Sequence, residues 1–240
     1  MDIGVPLRDL GPVDVSGVLK MIETLTEEDW TGNNFRRDML SAGVHDAADN
    51  ILFKTEWHPS ASRTGILTFE DLVFVWAKEK GIDHRPYLPI AKENTDLWPV
   101  FTMPDWNRYK DVLEPVVQQA IAPLKKPRGV VTRVALVRLR GGTQVPPHID
   151  GQLMAVKAHR IHVSLSSTPS VEYKIDGRKF TMLKGHAYDF NNRMRHSTRN
   201  KGKNARINMF VDYYPEPGLF IANPLDVSAP LNVPPTPVIN

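Results

Sequence analysis

Cysteine is missing from all 240 residues, and its absence excludes disulfides, thiolate nucleophiles and sulfur-ligated metal centres. Any metal the chain binds must therefore be held by His, Asp or Glu, and the lack of thiols fits a reducing cytoplasm. No run approaches the ~20 consecutive apolar residues of a membrane span. The opening MDIGVPLRDL has an early acid and lacks the apolar stretch of a secretory leader. A cytoplasmic protein with no membrane partner is expected. There is no internal repeat. With 41% hydrophobic and 24% charged residues the composition is that of an ordinary globular chain, and this length is expected to form a single domain, 1–240, around one core.

Neither sign of charge is in large excess, with 30 basic against 27 acidic residues and a formal net charge of +3, but the charge is unevenly spread. Arg193, Arg195, Arg199, Lys201, Lys203 and Arg206 occur without an intervening acid. Such a run points to an anionic ligand nearby or to a solvated basic loop.

Apolar residues recur at three- and four-residue spacing in 15–24, 69–80 and 106–122, which predicts three helices. After Pro127 and Gly129 the pattern changes. GVVTRVALVRLRGG is β-branched and closed by a glycine pair, as a strand would be. Residues 159–166 alternate, with Ile161, Val163 and Leu165 on one face and Arg160, His162, Ser164 and Ser166 on the other. Asp176-Gly177 between EYKI and RKFTML predicts a hairpin, because a tight turn there needs positive φ angles. Further strands are expected at 186–190 and 205–214. Seven of the 20 prolines lie from Pro215 onward, and their missing N–H groups resist regular structure. The expected organisation is a helix-rich support region over 1–125, an antiparallel β core over 126–215 and a proline-rich arm over 216–240.

The chemistry centres on PPHIDG, in which His148 and Asp150 are two apart and so project to the same side of an extended strand. His196 is the candidate third ligand. Two imidazoles and one carboxylate make the facial triad of non-haem iron(II) oxygenases, which leaves metal positions open for a cosubstrate and oxygen. Arg206, ten residues further on, shares a strand face with Asn208 and Phe210. A buried guanidinium there could grip a carboxylate bidentately.

The segments GGTQVPPHIDG, HRIHVSL and GHAYDFNNRMRHSTRNKGKNARINMFVDYYP resemble the aspartyl/asparaginyl β-hydroxylase-like dioxygenases. The resemblance spans roughly 133–215 and rests on the order and spacing of several motifs. It implies a double-stranded β-helix (jelly roll or cupin-like) packed against the N-terminal helices. It also implies the metal ligands His148, Asp150 and His196 for Fe(II), Arg206 as anchor for the distal carboxylate of 2-oxoglutarate, and Arg160 and His162 at the cosubstrate's other end. The implied reaction uses O2 to hydroxylate an unactivated C–H of an amino acid, an amino-acid derivative or a peptide side chain, converting 2-oxoglutarate to succinate and CO2. Some family members lack the carboxylate that Asp150 supplies. Its presence leaves no vacancy for a halide and favours hydroxylation over halogenation.

Plainer readings exist for several of these residues. His162 could be a satisfied histidine on a half-buried strand, and Arg160 a surface arginine on an edge strand. His159 and His186 fall outside the motif and read as structural or surface residues. Asp212 fits a structural ion pair or a substrate contact, and the structural reading is favoured. Trp57, Trp76, Trp98 and Trp106 carry no distinguishing spacing. Two other functions compete: the same chemistry on a nucleotide or other anionic small molecule, and a non-enzymatic nucleic-acid-binding β module suggested by RNKGKNAR. The latter lacks the aromatic interleaving used for base stacking, so nucleic acid is a weak candidate. A metal-binding cupin-like protein without catalysis is a further alternative.

Overall fold

Residues 1–32, 47–56, 73, 74, 77, 78, 80–85, 98–151, 153–166, 169–215 and 220–222 are described by the computed structural model. Its strands are β1 (Leu7–Pro12), β2 (Ala48–Glu56), β3 (Trp98–Thr102), β4 (Val130–Leu139), β5 (Gln144–His148), β6 (His159–Ser164), β7 (Val171–Ile175), β8 (Arg178–Phe180), β9 (His186–Phe190), β10 (His196–Asn200), β11 (Arg206–Tyr214) and β12 (Phe220–Ala222). They form an eight-stranded sheet in the order β1-β9-β6-β11-β4-β2-β3-β12 and a four-stranded sheet in the order β5-β10-β7-β8. All pairings are antiparallel except that of β3 with β12. Two antiparallel sheets with these crossovers make the expected double-stranded β-helix, and the helices lie against the outside of the larger sheet.

Helix α1 (Ser16–Glu23) buries Val18 and Met21, and α2 (Glu27–Thr31) buries Trp30. The first turn of α2 is fixed by a reciprocal capping box between Thr26 and Asp29. Helix α3 (Pro104–Ile121) starts with proline where no N–H is needed. Its buried Trp106, Leu113, Val116, Val117 and Ala120 follow helical periodicity and form one face. That face packs with Phe53, Leu136, Ile161, Val163, Met209 and Val211 from the outer face of the large sheet. The 69–80 helix falls largely outside the described residues; 73, 74, 77, 78 and 80 are helical. Trp57 and Trp76 lie outside the described residues, as does the arm at 216–219 and 223–240.

Before residue 125 the helices are accompanied by β1, β2 and β3, which join the large sheet. β6 is an interior strand between β9 and β11, with all six residues buried, so the edge-strand reading of Arg160 fails. The polar face of β6 is turned toward the small sheet rather than toward water.

Two glycine positions set the geometry near the site. Asp176 (φ 51) and Gly177 (φ 74) make the predicted tight turn between β7 and β8. After β4, a Cβ on Gly141 would lie 2.2 Å from the Lys203 carbonyl oxygen. Glycine therefore lets the 201–204 loop close over the chain, and Gly142 N–H donates to the Gly202 carbonyl (2.9 Å). This close approach seats β5 beside β10.

Candidate metal and cosubstrate site

β5 and β10 pair with His148 directly opposite His196, so two histidines 48 positions apart in sequence meet on the inner face of the small sheet. Their rings lie 4.2 Å apart, tilted by 56°. Each Nδ1 sits against a carbonyl two residues earlier, Pro146 O at 2.8 Å for His148 and Met194 O at 2.9 Å for His196. A carbonyl can only accept, so both rings donate from Nδ1 and turn Nε2 toward a common point; in the metal-free protein His148, when protonated, donates from Nε2 to Asp150. This arrangement fixes the tautomer of metal-binding histidines. Asp150 completes the group, with Oδ1 3.4 Å from His148 Nε2. One ligand atom from each of the three residues lies within 4.8 Å of the other two. The loop bearing Asp150 is held from both sides, because its N–H donates to the Asn192 carbonyl (3.1 Å) and its own carbonyl accepts from Arg193 Nη1 (2.5 Å).

The electrostatics act unequally on the three residues. Burial pushes the Asp150 carboxyl up, but the Arg160 charge and the His148 hydrogen bond outweigh it and hold Asp150 well below the usual carboxylate range. Burial lowers His196. For His148 burial also lowers, but the hydrogen bonds to Asp150 and Pro146 raise it above its ordinary value.

The second half of the site lies on the large sheet. His162 is sandwiched between Phe190 (4.5 Å, 5°) and Phe210 (4.0 Å, 14°). Phe190 also packs edge-on against His196 (4.9 Å, 82°), linking the two sheets through one ring. Both nitrogens of His162 are buried without a hydrogen-bond partner, so it is not a satisfied core histidine. Burial and the nearby Arg206 and Arg160 charges drive its pKa well below 6.5. Arg206 is 3% exposed, its guanidinium lies 5.5 Å from the centre of the Tyr173 ring, and its Nε and Nη1 have no partner. No carboxylate pairs with it among the described residues. Asn208, next on the same face, donates to Tyr173 Oη (3.2 Å) and leaves its own Oδ1 unmatched.

Arg160 is engaged differently. Its Nε and Nη2 donate to the two oxygens of Asp212 (2.9 and 2.8 Å), and its Nη1 donates to Asp150 Oδ2. Asp212 also receives Arg133 Nη1 (3.0 Å), and Arg133 Nη2 reaches Glu56 (2.5 Å). The structural reading of Asp212 agrees with this network. His159 pairs with buried Asp189 (2.9 Å), and His186 faces Asp9 (3.3 Å). Trp106 belongs to the helix-side core. The basic run divides: Arg206 is inside, Arg193 reaches from the turn between β9 and β10 to the Asp150 carbonyl, and Arg195, Arg199, Lys201 and Lys203 are exposed. Sequence reasoning did not single out Phe190, Arg133 and Glu56, because only strand register brings them to the site.

The residues present fit both an iron(II) ion and 2-oxoglutarate. The donor set is two neutral imidazoles and one carboxylate, and a buried guanidinium with orphaned N–H groups requires an anion. A double-stranded β-helix carrying such a cluster is the arrangement expected of a non-haem oxygenase. The aspartyl/asparaginyl β-hydroxylase family profile matches residues 74–215, more than half of the chain. No curated protein matches it in sequence. Among solved structures, a 2OG-Fe(II) oxygenase family oxidoreductase from Burkholderia pseudomallei matches with a TM-score of 0.51 and 12% identity, over 91% of this chain and 87% of its own. A cupin domain from Bordetella pertussis matches 34% of this chain and 79% of its own, with 12% identity and a TM-score of 0.28. The chain belongs to the aspartyl/asparaginyl β-hydroxylase family. It is a dioxygenase of the hydroxylase type.

The state of His162 predicts a pH dependence. Unfolded, it titrates near 6.5; folded, it stays neutral far below that. The unfolded chain therefore binds a proton that the folded chain does not. Stability is full above pH 6.5 and falls as the pH drops, by up to ~1.4 kcal/mol per pH unit for one such group. His196 acts in the same sense and His148 in the opposite one, and both remain in a His162→Phe variant. Urea titrations of the metal-free proteins between pH 7 and 5 should show a shallower slope for the variant, and parallel profiles would contradict this account.

Proposed function

We propose that this protein is an iron(II)- and 2-oxoglutarate-dependent hydroxylase acting on an amino acid, an amino-acid derivative or a peptide side chain. The observation that carries the reading is the intact His-Asp-His cluster together with a buried guanidinium, Arg206, whose Nε and Nη1 lack a partner among the described residues. His148, Asp150 and His196 would hold the metal. Arg206 would take the distal carboxylate of 2-oxoglutarate, with His162 and Arg160 toward its other end. When bound with oxygen, the metal and 2-oxoglutarate supply the oxidising power for C–H hydroxylation, and the cosubstrate leaves as succinate and CO2. The protein's own part is orientation and dryness. Both imidazoles are locked with Nε2 inward, Asp150 stays ionised, and the Phe190 and Phe210 rings seal the flanks of His162 against water.

The test is anaerobic addition of Fe(II) and 2-oxoglutarate, with the weak visible charge-transfer absorption of the chelate as readout. The intact protein should show the band and His196→Ala should not. Aerobic succinate release is then screened across amino acids and short peptides. A protein that binds neither iron nor 2-oxoglutarate would remove the oxygenase reading.

A further inference from the structure

Five charged residues alternate in sign through the interior of the large sheet, running from the metal cluster to the far end of β2: Asp150, Arg160, Asp212, Arg133 and Glu56. The last four have side chains 10% exposed or less. The order follows from register, because Asp212 on β11 stands opposite Arg160 on β6 and opposite Arg133 on β4. Isolated, each of these charges would be costly to bury. Alternation lets every guanidinium face two carboxylates.

The two oxygens of Asp150 are treated unequally. Oδ1 lies beside His148 Nε2, on the side of the shared metal point, whereas Oδ2 accepts from Arg160 Nη1. Arg160 has little freedom to leave, since its other edge is locked in a two-pronged contact with Asp212. A fork held this way imposes direction as well as charge.

We propose that Arg160 is a positioning residue that keeps Asp150 a one-oxygen metal ligand, and that Asp212, Arg133 and Glu56 form the rigid backing that holds Arg160 in place. By occupying Oδ2, Arg160 prevents the carboxylate from closing onto the metal through both oxygens, and so preserves a coordination position for a small ligand. In this role Arg160 acts on the metal ligand through Nη1, in addition to its place toward the cosubstrate's other end. This inference rests on the metal assignment above.

The experiment is titration of the full-length, metal-free protein with Co(II), following both the dissociation constant and the visible ligand-field spectrum. Wild type is compared with Arg160→Lys, which keeps the charge without the fork, with Arg160→Gln, and with Glu56→Gln at the remote end. Thermal melts establish which variants are folded. Loss of an outer-shell partner typically weakens metal binding about 10- to 100-fold. That loss is expected for folded Arg160 variants, together with an altered spectrum. A change in the same direction is expected for Glu56→Gln, which alters no group near the metal. In an Asp150→Ala background the Arg160 substitutions should have no further effect on Co(II) affinity. Folded variants with wild-type affinity and spectrum would overturn the proposal. If the Arg160 variants do not fold, unchanged Co(II) binding by Glu56→Gln overturns it equally. Failure of the wild type to bind Co(II) would instead sink the metal site.

Discussion

Replacing Asp212 with asparagine is expected to remove about 3–5 kcal/mol of stability, the usual cost of breaking a buried ion pair from one side. Asp212 is 1% exposed and receives three N–H groups from two guanidiniums. The substitution preserves shape but removes the charge that offsets Arg160 and Arg133. It also replaces one acceptor oxygen with an amide that donates, so a donor then faces a donor. Both arginines are too enclosed to regain water, being 9% and 4% exposed. A domain whose total stability is ~5–15 kcal/mol should lose a large share of it, visible as a melting point lower by roughly 6–20 °C. The control is Asp9→Asn, which breaks the exposed contact with His186 and should cost no more than ~1 kcal/mol. Chemical denaturation of the three proteins measures the difference. Equal losses for the two substitutions would mean that the Asp212 network is already solvated and contributes nothing special.

The contrast between those two aspartates also marks what the sequence could reveal. Signals that act over a few residues were legible: the Asp-Gly turn, the alternation of β6, and the periodicity that marks α1 and α3; the His-x-Asp pair was expected on one strand, but β5 ends at His148 and Asp150 stands on the loop after it. The strands of the first half were not. β2 is buried along eight of its nine residues, since one face meets the helices and the other the small sheet, so its alternation carries no polar face to betray it. β10 reads HSTRN, a poor strand by composition, and it is fixed by pairing with β5 and β7 rather than by propensity. The site shows the same division. Its ligands could be assembled from motif order, but Arg133 and Glu56 lie 79 and 156 positions from Asp212. Nothing in their local sequence says that β4 and β2 bring them together. Arg160 illustrates the limit most clearly. Alternation put it on the correct face, while its real partners, Asp150 and Asp212, depended on a register no single strand contains.

The other large effect is expected at Arg206, where stability and binding should move in opposite directions. In the ligand-free protein its guanidinium is buried, with Nε and Nη1 unmatched, an arrangement that opposes folding. Arg206→Met keeps much of the length and removes the charge, so the ligand-free variant should melt at or above the wild-type temperature. With manganese(II) as an inert metal, the 2-oxoglutarate dissociation constant should rise instead. A buried charge pair broken from one side typically costs ~2–5 kcal/mol, or about 30- to several-thousand-fold at 1.4 kcal/mol per factor of ten. Arg206→Lys should recover only part of this, because an ammonium cannot reproduce the two-pronged grip on a carboxylate. Saturating 2-oxoglutarate raises the melting temperature of a protein that binds it only when folded, so the wild type should gain and the methionine variant should not. If Arg206 were simply a structural cation, the variant would lose stability and keep its affinity. The opposite pattern, intact folding with lost cosubstrate binding, is the signature of a charge retained for its ligand at the expense of the fold.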